Sequence, residues 1–104
     1  MAWKVAWTEV AWSDVSAVAD YIAKDSSRYA AAFVREVREA ACSLAEFAER
    51  GRVVPELRDP KVRELFVRNY RLIYRLTDRD VFIIAFIHGA RHLEFLWGRK
   101  RQEP

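Results

Sequence analysis

The 104-residue chain predicts an α+β fold, read in the order β-α-α-β-β-β, with an αα-hairpin packed on a mostly antiparallel sheet. Three observations predict it. Residues 3–7 alternate apolar and polar or small side chains, a period of two. Residues 12–48 repeat apolar side chains at helical spacing. Everything after residue 61 returns to the strand period. With 52% hydrophobic residues and only three Gly and three Pro, the chain has material for one core and little sign of disorder. Its length fits one domain, residues 1–104, in which 93–104 form a C-terminal extension with a basic tail.

The elements follow from local patterns. Trp3, Val5 and Trp7 alternate with Ala2, Lys4 and Ala6, as in a half-buried strand. Thr8 stands where an N-cap belongs, with Glu9 facing the positive end of the helix dipole. Trp12, Val15, Ala19 and Ile22 form one stripe of the first helix, and Ser26 or Ser27 caps the second. There Ala30, Phe33, Val37, Ala40, Ala41, Leu44, Phe47 and Ala48 share a face, and Gly51 is expected just past the end in a left-handed conformation. Residues 52–61, with two prolines, read as a loop. Val62–Val67 is a strand, Arg68-Asn69 a hairpin turn, and Tyr70–Leu76 a strongly alternating strand. Residues 77–80 are a turn in which Asp78 and Asp80 serve turn amides. Val81–His88, apolar on both faces until its last residue, belongs in the middle of the sheet.

Composition excludes several classes of chemistry. A single cysteine, Cys42, rules out an internal disulfide framework and a Cys-cluster zinc site, and its place beside the apolar stripe predicts a buried, inert thiol. No phosphate-binding Gly-rich loop, HExxH or GxSxG occurs. His88 and His92 are the only histidines, and Gly89 between them argues against a helical metal pair, so neither metal nor cofactor is expected. No apolar run is long enough for a membrane span and no signal peptide opens the chain, which points to the cytoplasm.

Charge is divided unevenly. Residues 1–50 hold six basic and eight acidic residues, residues 51–104 twelve and seven, and fourteen of the 18 cations are Arg. Arg suits phosphates and carboxylates, although enrichment of Arg and Ala together also follows from genome composition. Arg71 and Arg75 share a strand face with Ile73, and Arg63 and Arg91 lie close enough in sequence to join them. Such a surface suits an RNA backbone or an acidic peptide. The structural alternative is a set of snorkelling side chains with Arg71 paired to Glu64. It is the better reading for Arg75, and it stands beside the functional one for Arg71 and Arg91.

The stretches Gly51-Arg52-Val53-Val54-Pro55-Glu56, Val62-Arg63-Glu64-Leu65, Tyr70-Arg71-Leu72-Ile73-Tyr74-Arg75 and Ile87-His88-Gly89-Ala90-Arg91 resemble the RelE/ParE toxin superfamily. So do Trp7-Thr8-Glu9 and Tyr21-Ile22-Ala23-Lys24-Asp25-Ser26, and the likeness spans roughly residues 3–92. The resemblance implies a toxin of a type II toxin–antitoxin pair, neutralised by a cognate antitoxin over its helices and sheet. A homodimer or a hetero-oligomer with the antitoxin is the assembly it allows. RelE-like members cut mRNA on the ribosome without metal. Their two arginines would match Arg71 and Arg91, but their lysines fall near Val62 and Glu64, and their C-terminal Tyr falls near Trp97. Indole is neither acid nor base at neutral pH, so only His88 or His92 remains for proton transfer. The Pro-Glu-Leu loop and the His-Gly-x-Arg ending look more like the ParE branch, whose members poison DNA gyrase and need no catalytic residue. The expectation is therefore a ParE-like gyrase inhibitor. The alternatives are a ribosome-dependent mRNA endoribonuclease using Arg71, Arg91, His88 and His92, or an inactive member acting only with its antitoxin. Target or antitoxin contact is assigned to Arg63, Arg71, Arg91, Trp97, Arg99, Lys100, Arg101 and Trp12.

Overall fold

The computed structural model describes residues 2–90. The elements run β1 (Lys4–Trp7), α1 (Glu9–Ala23), α2 (Ser27–Ser43), β2 (Arg52–Val53), β3 (Val62–Val67), β4 (Tyr70–Leu76) and β5 (Asp80–His88). They build one five-stranded sheet in the order β1-β5-β4-β3-β2. Tight turns join β3, β4 and β5, so those pairs are antiparallel. β1 reaches β5 only through the rest of the chain and pairs with it in parallel, which makes the sheet mixed. The fold class read from the sequence holds. The part of the loop read at 52–61 that departs from expectation is Arg52–Val53, which adds to the sheet as a two-residue edge strand beside Glu64 and Arg63.

Both expected N-caps are present. Ser26 Oγ accepts from the Tyr29 amide at 3.1 Å. Thr8 Oγ1 accepts from the Ala11 amide at 3.2 Å and donates to the Ile83 carbonyl at 2.8 Å, so one hydroxyl starts α1 and fastens it to β5. The helices bury Ala11, Val15, Phe33, Val37 and Ala41 against Leu72, Tyr74, Val81, Ile83 and Phe86 on one face of the sheet. A smaller cluster, Val54, Val62, Ile73, Ala85 and Ile87, lies on the other face, with Leu57 packed against it.

β5 carries a bulge. Ile73 pairs with Ala85 but Tyr74 pairs with Ile83, so Ile84 is one residue too many. The extra residue breaks the alternation: Val81, Ile83 and Phe86 join the helix-side core while Ala85 and Ile87 join the other. An apolar run without a clear period is what such a strand looks like in sequence.

The end of α2 departs from expectation in three ways. The helix stops at Ser43, whose hydroxyl donates to the Ala40 carbonyl at 2.6 Å and accepts from Arg50 Nη1 at 2.7 Å. Leu44 and Ala48 remain buried, but Phe47, no longer on a helical stripe, is 62% exposed. Cys42 is exposed rather than buried. It falls one residue off the buried positions Val37 and Ala41, and that single step turns it to solvent.

Gly51 is not in the left-handed region; Arg58 (φ 52°) and Arg68 (φ 55°) are. Close approach is what requires glycine at 51. A Cβ there would lie 2.5 Å from Tyr74 Oη and 2.7 Å from the Glu64 carbonyl oxygen. Tyr74 is buried in the centre of β4, and its hydroxyl accepts from the Gly51 amide at 3.0 Å and donates to the Ala48 carbonyl at 2.8 Å. The segment leaving α2 is thus stapled to the sheet by one phenol.

Two predictions follow from that staple. Tyr74→Phe leaves two backbone groups without their partner and lowers stability by about 1–3 kcal/mol in urea denaturation near neutral pH; an unchanged midpoint would refute the staple. Burial pushes the Tyr74 phenol above its ordinary value, the Gly51 amide only partly opposing it. The unfolded chain loses that proton near pH ~10 while the folded chain keeps it, so the contribution is complete below about pH 10 and declines as pH rises further. The alkaline decline should be shallower in Tyr74→Phe than in the wild type, and equal slopes would exclude Tyr74 as its source.

Candidate functional site: an arginine–glutamate ladder on the sheet

β3 and β4 place an acid and a base on the sheet face opposite the helices. Val62 and Ile73 belong to the smaller core, and strand alternation puts Glu64 two residues from the first and Arg71 two residues from the second on that same face. Both are buried, Glu64 at 1% and Arg71 at 3% exposure. Arg71 Nε donates to Glu64 Oε1 at 2.6 Å, and Arg52 Nε, from β2, donates to Glu64 Oε2 at 2.6 Å. Glu64 therefore spends one carboxylate oxygen on each arginine.

The outer end of Arg71 is taken by Glu56, on the turn between β2 and β3. Arg71 Nη1 donates to Glu56 Oε2 at 2.7 Å and Nη2 to Oε1 at 2.8 Å, a fork-to-fork pair. The ladder Arg52–Glu64–Arg71–Glu56 alternates in sign and holds equal numbers of each charge. The bond to Glu56 and then that to Glu64 hold the Arg71 guanidinium above its ordinary pKa against the opposing pull of burial. Arg52 also lies over the ring of Phe66, 5.1 Å from its centroid.

Among the described residues, the expected site residues Trp12, Arg63, Arg71 and His88 do not converge. Arg71 is an internal member of the ladder and not a surface contact, because its donors are committed to two carboxylates in a place that water barely reaches. The structural alternative read from the sequence, Arg71 paired with Glu64, is the one observed. Arg63 is likewise occupied. Its Nε donates to the Pro60 carbonyl at 3.0 Å and its Nη1 to the carbonyls of Gly51 and Glu49 at 3.0 and 3.3 Å, closing the loop below β3.

Trp12 is partly buried, edge-on to Trp7 at 5.2 Å, with the Arg38 guanidinium 5.3 Å from its centroid. His88 accepts from the Ala90 amide through Nδ1 and meets Tyr70 edge-on at 5.6 Å. Tyr70 stacks on Phe86 in the helix-side core, so His88 and Arg71 face opposite sides of the sheet. Arg91, His92, Trp97, Arg99, Lys100 and Arg101 lie outside the described residues.

Arg52 and Glu56 were not singled out by sequence reasoning. A signal existed for the ladder: Glu64 alternates with Val62 and Phe66, so one strand face is apolar except for a carboxylate that burial obliges to find a cation.

The family model described as ParE toxin of type II toxin-antitoxin system, parDE, matches residues 5–93. The chain belongs to the ParE toxin family. It is 38% identical over 89 residues to Toxin RelE2 of Caulobacter vibrioides, covering 85% of this chain and 97% of that one. A solved structure of the chromosomal ParDE system from P. aeruginosa shares the fold, with TM-score 0.69 and 22% identity over 83% of this chain and 95% of the other. The toxin–antitoxin complex RelBE2 from Mycobacterium tuberculosis superposes with TM-score 0.58 and 26% identity over 85% and 99%. This ParE-family chain is thus a type II toxin of the RelE/ParE superfamily, as its motifs implied. No helix among its described residues is long and apolar enough to cross a membrane.

Arg71→Met alone strands Glu64 with only Arg52 and is expected to cost about 3–5 kcal/mol of stability. Adding Glu64→Leu, which replaces the buried pair by apolar side chains, should recover most of that loss in the same urea titration. If the second substitution deepens the defect, the ladder is held by packing rather than by charge compensation. It also follows that loss of toxicity in an Arg71→Ala variant reports a weakened fold before it reports a lost contact, and circular dichroism separates the two.

Proposed function

We propose that this toxin arrests growth by poisoning DNA gyrase in the cytoplasm and is held inactive by a cognate antitoxin. The observation that supports this reading is the engagement of Arg71. A metal-independent ribonuclease needs a cation directed at the charge that develops on the scissile phosphate. Arg71, the described residue that would match that role, has its fork closed by Glu56 and its Nε closed by Glu64. His88, the described candidate for proton transfer, is on the opposite face. A protein that inhibits by binding alone needs neither group in the open.

The antitoxin reading rests on the family and on the superposed complexes, whose toxins are solved with their antitoxins or named as such systems. The basic second half of the chain suits a partner with acidic segments.

Expression of the toxin without antitoxin should stabilise gyrase–DNA cleavage complexes, seen as linearised plasmid when purified toxin and gyrase are combined, while translated mRNA stays uncut by primer extension. Ribosomal A-site cuts with unaffected supercoiling would establish the ribonuclease instead, the activity class that the name RelE2 of the Caulobacter relative brings into question. Growth unaffected by expression of folded toxin would refute both.

A further inference from the structure

The segment that leaves α2 presents an apolar ring to water on a rigid mount. Leu44 and Ala48 are buried and anchor it, and the Ala48 carbonyl is held by the Tyr74 hydroxyl. Between those anchors the Phe47 amide donates to the Ser43 carbonyl at 3.1 Å, and the Phe47 carbonyl accepts from the Arg50 amide at 3.1 Å. The backbone on both sides of Phe47 is therefore fixed while its side chain is mostly exposed. Trp3, just ahead of β1, is seated against the same segment, because its amide donates to the Ala45 carbonyl at 2.7 Å. Its indole is only partly buried by the helix-side core. A contact surface built this way needs little further ordering when a partner arrives.

Trp3 and Phe47 line one open cavity of about 370 Å³ together with Glu46, Ala48, Glu49 and Arg50. Glu46 and Glu49 are exposed, and the described residues give neither carboxylate a hydrogen bond or an ion pair. Arg50, the cation on the rim, directs Nη1 to Ser43 Oγ at 2.7 Å. Two aromatic rings beside two carboxylates select a cation, the rings through their quadrupoles and the acids through charge. A guanidinium meets both demands at once, since its plane stacks on a ring while its edge forks a carboxylate; an ammonium does neither as well. Phosphate-bearing ligands are repelled by the same acids. The cavity is a notch open to solvent and not an enclosure for a free small molecule, so it suits a side chain delivered by a protein that makes further contacts around it. We propose that Trp3, Phe47, Glu46 and Glu49 form a docking notch for an arginine side chain of a protein partner. The assignment does not rest on the gyrase reading.

The experiment is an NMR titration of the full chain, at neutral pH and low ionic strength, with the capped peptide acetyl-Gly-Arg-Gly-amide. The probes are the same peptide carrying citrulline or lysine in place of arginine, and a short oligothymidylate. The arginine peptide should move the Trp3 indole N–H and the Phe47 amide with a dissociation constant of about 1–20 mM. Citrulline, the neutral isostere, should bind at least about threefold more weakly, as should the arginine peptide to Glu46→Gln combined with Glu49→Gln. Phe47→Leu, which keeps apolar bulk and removes the ring, should cost about threefold as well. These positions are exposed, and the wild-type comparison of arginine with citrulline serves if a variant does not fold. No movement of either signal up to about 50 mM arginine peptide would overturn the site. Equal binding of citrulline would reduce it to an apolar notch and overturn the charge argument. Tighter binding of the lysine peptide would overturn the choice of guanidinium, and oligothymidylate moving the same two signals would overturn the protein partner.

Discussion

A carboxylate buried at the middle of a strand is the constraint that orders one face of this protein. Glu64 has almost no access to water, so each of its oxygens must meet a cation. Arg71 on the neighbouring strand supplies one and Arg52 on the edge strand the other. The demand of Arg71 for a partner at its outer end then draws in Glu56 and with it the turn that covers Val54, Ile73 and Ile87. Edge strand, covering turn and second core are held in place by one chain of alternating charge. Such a chain need not add much net stability over an apolar replacement, but it ties three segments to one register.

The same arithmetic reshapes what the positive charge of the second half means. Counted along the sequence, the arginines of residues 51–90 suggest an open cationic surface. In the fold Arg71 and Arg52 are matched by carboxylates, Arg63 closes backbone carbonyls, and Arg68 reaches Glu36 of α2. Arg71, the described arginine that the family resemblance would set to phosphate chemistry, is held by two carboxylates. Charge in a sequence is an inventory, and only the partners decide how much of it faces outward.

Regular periodicity was legible and departures from it were not. Both N-caps, the buried stripe of α2, the central place of β5 and the Arg68-Asn69 turn were read from residue types, because each depends on neighbours three or four positions away at most. The early end of α2 was hidden because Leu44 and Ala48 stay buried after the helix has stopped, so the apolar pattern outlasts the backbone geometry. Local pattern marks Gly51 as a helix terminus, whereas its real requirement, room for the Tyr74 hydroxyl, involves a residue 23 positions away. Of the site, the Arg71–Glu64 pair was foreseen as a structural reading, but the fork on Glu56 depends on how a proline-bracketed turn folds back, which no local pattern encodes. Part of the expected contact set, from Arg91 onward, lies beyond the residues described.

The hydroxyl of Thr8 bonds a carbonyl 75 residues later in the chain, and among the described strands the one before it pairs with β5. Among the described strands, β1 therefore waits for β5. At about 5–20 residues per second of synthesis, that interval is roughly 4–15 s, during which Val5 and Trp7 have no sheet to join and α1 lacks the anchor that its cap provides. Closing so long a loop is also entropically slow compared with forming the β3-β4-β5 meander. Over that interval the part of the chain already made is in a form that lacks the β1–β5 pairing and the surface it completes.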